Sequence, residues 1–216
     1  MSAQDETFAL LRQKIITMEL LPGTAMSVYE MSEQLQVSRT PVREAFIRLA
    51  TESLVEIMPQ RKTLVSRIDV SRAQQERFMR EALEIGVIPS FLRTLTDETL
   101  ADMRALSRRY AAAIDRGDAV EALALDDAFH RTVFESAGQT LSWQTIETTS
   151  GHHRRMRLLL IREQGVAREV VEEHNRMLEA YAARDEADAL AWTKVHQART
   201  ALPEAPLREM FPRYFK

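Results

Sequence analysis

Five histidines and no cysteine limit where this chain can carry metal or acid–base chemistry. Asp126 and His130 stand four residues apart on a stretch that reads as helix, so both side chains share a face and reach one cation. His174 and His196 lie 22 residues apart, on consecutive helical stretches that turn near Arg184–Glu186. The midpoint is residue 185, so antiparallel folding there sets the two rings level, about 16 Å from the turn at 1.5 Å per residue. Three imidazoles and one carboxylate converging in a bundle suit zinc, nickel, manganese or iron, with open positions for water or a ligand carboxylate. The bland alternative is a set of core histidines with no metal. His152 and His153 are adjacent and point in different directions on a helix, so at most one can enter such a site; both are left outside it.

A second constellation is cationic. In Ser38-Arg39-Thr40-Pro41-Val42-Arg43-Glu44, Thr40 reads as an N-cap and Pro41 as the first helical residue, where a missing N–H costs nothing. Val42, Ala45, Phe46 and Leu49 then recur on one face. Arg39 and Arg43 stay off that face, near helix N–H groups, an arrangement suited to phosphates and guanine edges. Upstream, Ser27-x-x-Glu30 reads as a capping box opening a short helix, and Gln36-Val37 as a tight connection. Val55–Met58 and Thr63–Ile68 read as strands joined by the basic turn Pro59-Gln60-Arg61-Lys62. Together these predict a winged helix-turn-helix.

The elements that position these groups are mostly helical. Six glycines and long periodic segments argue for a mainly α protein, and the absence of cysteine excludes disulfides and thiolate zinc sites. The net charge of −3 is unevenly spread: residues 38–67 carry 6 basic and 3 acidic side chains, whereas residues 1–37 carry 2 and 5. The positive excess thus falls on the second short helix and the wing. No basic-then-apolar leader and no long apolar run is seen, which predicts a soluble, cytoplasmic protein with no membrane partner.

Along the chain, helices are expected at Glu6–Met18, 28–36 and 41–52, completing with the wing a DNA-binding domain over 1–68. Ile68-Asp69-Val70-Ser71 reads as a short linker. Residues 71–216 read as an antiparallel all-helical bundle with helices at Ser71–Thr94, Thr96–Arg116, Asp118–Ser136, Leu141–Glu163, Val166–Ala183 and Asp185–Ala201. Phe78 counts among the apolar positions of the first, and Pro89 is expected to kink or divide it. Phe211, Tyr214 and Phe215 of the Pro-broken tail are expected to pack on the bundle or on a partner subunit.

These patterns resemble a known family. Pro22-Gly23, Leu35-Gln36-Val37-Ser38-Arg39-Thr40-Pro41-Val42-Arg43-Glu44-Ala45 and Arg48-Leu49 resemble the winged helix of GntR-type bacterial transcription regulators. Arg80-x-x-Leu83-Glu84, Asp126-x-x-Phe129-His130, Glu173-His174 and His196 resemble the helical FCD effector domain of the FadR-like branch. The resemblance implies a homodimer on a palindromic double-stranded operator, responsive to a small organic acid held beside a divalent metal on Asp126, His130, His174 and His196. It places DNA contacts on Arg39, Thr40 and Arg43, with Arg48 and the wing residues Arg61 and Lys62 beside them. Tyr29 stands where the family commonly has an arginine, and Lys62 where it usually has a glycine.

Arg80, Arg154 and Arg157 are the candidates for gripping a carboxylate effector by paired hydrogen bonds. Two rival readings differ in kind: a metal-independent sensor of a larger ligand such as an acyl-CoA, and a metalloenzyme. Di-iron bundles need paired Glu-x-x-His motifs, and here Val171 and Thr193 occupy the required positions, so the chain is not expected to be an enzyme.

Overall fold

A computed structural model describes residues 2–58, 62–162, 164–199 and 204–216, in two compact units: Met1–Ala73 with Glu204–Lys216, and Gln74–Pro203.

In the first unit, α1 (Ala3–Ile16) begins earlier than its apolar periodicity suggests. Ser2 and Asp5 form a capping box, each side chain bonding the other's backbone N–H. Leu11, Ile15 and Ile16 are buried along it, and α1 packs against α3. Strand β1 (Ala25–Met26) precedes α2 (Val28–Leu35), which is opened by Ser27 accepting from Glu30 N–H at 3.1 Å. Gln36, in the left-handed region at φ 53°, ends α2 and turns the chain into α3 (Arg39–Thr51). Two wing strands follow, β2 (Val55–Met58) and β3 (Lys62–Val65), in an antiparallel sheet of order β1-β3-β2. The edge strand β1 is too short to show in a sequence pattern. The wing turn with Arg61 lies outside the described residues.

The second unit is helical: α4 (Val70–Thr94), α5 (Asp97–Asp115), α6 (Ala119–Ser136), α7 (Thr140–Thr149), α8 (Gly151–Arg162), α9 (Gln164–Ala183) and α10 (Glu186–Arg199). Thr96 and Asp118 cap α5 and α6 by accepting from Thr99 and Glu121 N–H. The core gathers Phe91, Met103, Phe129, Phe134, Trp143 and Tyr181. Between α9 and α10, Arg184 adopts φ 54° and Asp185 caps α10 by accepting from Asp188 N–H at 3.0 Å.

Three expectations are corrected here. Pro89 lies inside α4 and does not divide it. Phe78 points outward, 67% exposed, rather than into the core. The stretch 141–163 is two helices, broken at Ser150. The cause is Glu76 of α4, whose Oε2 accepts the backbone N–H of His152 at 2.9 Å and His153 at 2.8 Å, and so starts a new helix there.

The tail also departs from expectation. The final helix α11 (Glu204–Met210) and the residues after it belong to the first unit. Ile68 N–H donates to Tyr214 O at 2.7 Å and Lys216 N–H to Ile68 O at 3.0 Å, and Phe215 is buried beside this bridge. Phe211 stacks on Tyr214 with ring centroids 5.4 Å apart.

Candidate functional site

The first unit presents one cationic helix face. Val42, Ala45, Phe46 and Leu49 are buried, which leaves Arg39, Thr40 and Arg43 exposed at the start of α3. The cap is Ser38 rather than Thr40, and it makes no side-chain cap bond. Pro41 is therefore third in the helix, still among the first four residues whose N–H groups lack intrahelical partners. Arg39 lies over the Tyr29 ring at 5.1 Å, so the tyrosine that replaces an expected arginine holds a neighbouring one instead. Lys62 is exposed at the start of β3. Arg48, also expected at the DNA, is exposed on the same helix and has partners within the domain. Its head pairs with Asp5 at 2.9 Å and stacks over Phe8 at 3.8 Å, so it braces α1 against α3.

In the second unit, α6, α9 and α10 bring Asp126, His130, His174 and His196 together. One ligand atom from each lies within 4.8 Å of the others, and all four residues are buried. The level placement of His174 and His196 about residue 185 is realised, with ring centroids 5.0 Å apart. Phe129 stacks on His174 at 4.3 Å and Tyr110 meets it edge-on at 5.4 Å, so one wall is aromatic.

Two carboxylates back the imidazoles. Glu84 Oε2 lies 2.9 Å from His130 Nδ1, and Glu173 Oε2 lies 3.1 Å from His196 Nδ1. In a neutral ring, a carboxylate on Nδ1 favours N–H at that nitrogen and leaves Nε2 able to ligate. The two Nε2 atoms then face each other at 3.0 Å. His174 is fully buried with neither ring nitrogen hydrogen-bonded; its Nε2 is 3.3 Å from Asp126 Oδ1, off hydrogen-bond alignment. Glu84 and Glu173 were visible in the sequence only as parts of a family pattern, with no role assigned.

The three effector-binding candidates are present but engaged. Arg80 donates to Glu84 at 2.6 Å, Arg154 lies 2.7 Å from Asp127, and Arg157 bonds both Asp126 and Asp127. Asp127, which no sequence pattern singles out, is the anchor for two of these guanidiniums. His153 is buried near Arg157, Arg80 and Asp127, and its ring nitrogens have no hydrogen-bond partner. Beside Asp126 a cavity of about 30 Å³ is lined by Tyr110, Arg157, Leu160, Ile161 and His196 among others.

Burial and charge set the protonation of the cluster. Burial pushes His174 down to about 4 and His196 to about 3, so both rings are neutral at neutral pH. Burial alone would raise the Asp126 carboxyl, but Arg157 and then His130 hold it well below its usual range. Glu84 is likewise lowered by His130 and Arg80 against its burial. Burial pushes Glu173 up to about 7.

Residues 3–65 match the gntR family of bacterial regulatory proteins, and residues 77–199 match the FCD domain. The chain belongs to this family. Over 207 residues the GntR-type chain is 33% identical to an uncharacterised HTH-type transcriptional regulator in an unstable DNA locus of Streptomyces ambofaciens, covering 95% of this chain and 82% of the relative. It is 30% identical over 180 residues to the HTH-type transcriptional repressor RspR of Escherichia coli, covering 83% and 79%. Among solved structures, Escherichia coli McbR/YncC has the same fold, with a TM-score of 0.84 at 20% identity over 98% of this chain and 99% of that one. The GntR-type chain is thus a DNA-binding transcription regulator, not an enzyme, with an FCD effector domain. Among the described residues no helix is long and apolar enough to cross a membrane.

Proposed function

We propose that this regulator binds a divalent transition metal on Asp126, His130, His174 and His196 and responds to a small carboxylate effector that takes the remaining coordination positions. The observation that carries this is the convergence of one donor atom from each of the four residues within 4.8 Å, with the His130 and His196 Nε2 atoms 3.0 Å apart and a glutamate on the far nitrogen of each ring. Two ring nitrogens this close are joined by a proton or by a cation that both ligate. The orphaned ring of His174 fits the cation, as does a donor set of three imidazoles and one carboxylate. Which of zinc, nickel, manganese or iron is bound depends on supply as well as on geometry.

A bound divalent ion would supply a Lewis-acidic centre for an anionic oxygen ligand. The chain's own groups do the rest. Glu84 and Glu173 hold the imidazoles in the ligating tautomer, Phe129 and Tyr110 keep out water, and Arg157 faces the cavity as a hydrogen-bond donor. The cavity is only about 30 Å³, so an acyl-CoA would have to displace much of the bundle.

On the DNA side, the proposed contacts are Arg39, Thr40 and Arg43 in the major groove and Lys62 with the wing turn on the backbone, in a homodimer on a palindromic operator. The effector changes operator affinity only by binding two arrangements of the protein unequally. A thermal-shift screen of small carboxylates against zinc-loaded wild type and His174→Ala tests the reading. A hit that stabilises only the loaded wild type, and that shifts operator affinity in a fluorescence-anisotropy titration, supports it. Carboxylates that act equally on both proteins contradict it.

A further inference from the structure

Each carboxylate around the imidazoles already holds a guanidinium. Glu84 is bonded by Arg80, Asp127 by Arg157 with Arg154 alongside, Glu173 by Arg199, and Asp126 by Arg157. A divalent ion on Asp126 adds positive charge beside guanidiniums that are already there, and it arrives where Arg157 already sits.

Arg157 differs from the other three arginines. It alone of the four hydrogen-bonds Asp126, and it bridges that carboxylate to Asp127; Arg199, which lines the same cavity as Arg157, bridges Glu173 and Glu169 instead. If Asp126 is taken by another cation, Arg157 still has Asp127 at 2.8 Å, so it can let go without becoming an unpaired buried charge. Arg80, at 3.7 Å from Asp126 and fixed on Glu84, has no comparable hold on it.

We propose that Arg157 is the resident cation of this site: it occupies Asp126 in the metal-free protein, and a metal ion binds by exchange against it. Arg157 therefore weakens metal binding and makes it reversible, and Asp127 serves to hold the displaced guanidinium. This rests on the metal reading above. It is the opposite of an orienting role, in which an outer partner of a ligand strengthens the site and its loss weakens metal binding about 10–100-fold.

The test is zinc affinity, measured by competition with a chromophoric chelator on the full-length protein. Arg157→Gln should bind zinc more tightly than wild type, by about tenfold or more, because a like charge beside the ion is gone. Zinc should also raise the melting temperature of Arg157→Gln by more than it raises that of wild type. Arg157→Lys keeps a cation but cannot bridge both carboxylates, so its affinity should fall between the two; it carries the test should Arg157→Gln not fold. Zinc binding by wild type that is unchanged or weaker in these variants overturns the exchange while leaving the metal site standing. Zinc binding only by the Arg157 variants would support the exchange in its strongest form. No zinc binding by any of them would overturn both readings.

Discussion

His130 Nε2 faces His196 Nε2 at 3.0 Å across the bundle, while the far nitrogen of each ring abuts a buried glutamate. Helices α6 and α10 supply the rings and α4 and α9 supply the glutamates, so four helices meet in one polar contact. The glutamates orient both rings, and the two facing nitrogens are the geometry on which the proposed metal site rests.

Removing that backing should weaken metal binding without removing a ligand. Glu173→Gln keeps the shape of the side chain but no longer enforces N–H at His196 Nδ1. Zinc affinity should fall about 10–100-fold, whereas the same change at the exposed Glu172 should do nothing. Equal affinities for wild type and Glu173→Gln would show that the ring needs no such support.

The depressed histidines make stability depend on pH. For His174 and His196 the folded values, about 4 and about 3, lie below the ordinary 6.5, so the unfolded chain binds more protons across that interval. Their contribution is fully present above pH 6.5 and is lost as pH falls toward 4 and below. The melting temperature of metal-free protein should therefore be lower at pH 5 than at pH 7, by about 2–4 °C per kcal/mol lost in a chain of this size. Glu173, pushed up to about 7, works in the opposite direction, so the comparison is made in Glu173→Gln, where a higher melting temperature at pH 5 would contradict neutral buried rings.

Much of this was legible in the sequence, and the reasons are local. Ser27-x-x-Glu30 and the apolar face of Val42, Ala45, Phe46 and Leu49 point to the helix-turn-helix, because caps and periodicity act within one turn. Asp126 and His130 share a face by helix geometry, and equal distances from a turn at residue 185 set His174 against His196. What stayed hidden depends on residues distant in sequence. The break at Ser150 is made by Glu76, more than seventy residues away. Arg48 meets Asp5 and Phe8 from another helix, and Phe215 finds Ile68 from the opposite end of the chain. Asp127 gives no signal, because an aspartate next to a ligand aspartate looks like ordinary surface charge.

Glu76 supplies a third prediction. It is a buried carboxylate accepting two backbone N–H groups at the start of α8. Glu76→Ala leaves those donors unsatisfied and should destabilise the protein by about 1–3 kcal/mol in a denaturant titration. Glu76→Gln, which keeps one acceptor oxygen, should cost less; a larger loss than for alanine would argue against the capping role.

The DNA contacts separate by chemistry. Arg43→Ala should weaken specific operator binding by roughly 1–3 kcal/mol and relax sequence preference, as expected for an arginine on a guanine edge. Lys62→Ala should weaken specific and nonspecific binding alike and reduce the salt slope by about 1. Arg48→Ala should instead lower the melting temperature slightly and leave sequence preference intact. A change in preference for Arg48→Ala would mean that its pairing with Asp5 gives way on DNA.

A metal held by Asp126, His130, His174 and His196 is tested most directly by elemental analysis combined with native mass spectrometry. Protein purified without added metal or chelator should carry about one transition-metal ion per chain, and His174→Ala purified in parallel should carry none. Wild type that stays metal-free even after incubation with zinc, nickel, manganese and iron would contradict the site, and full occupancy in His174→Ala would show that other residues hold the ion.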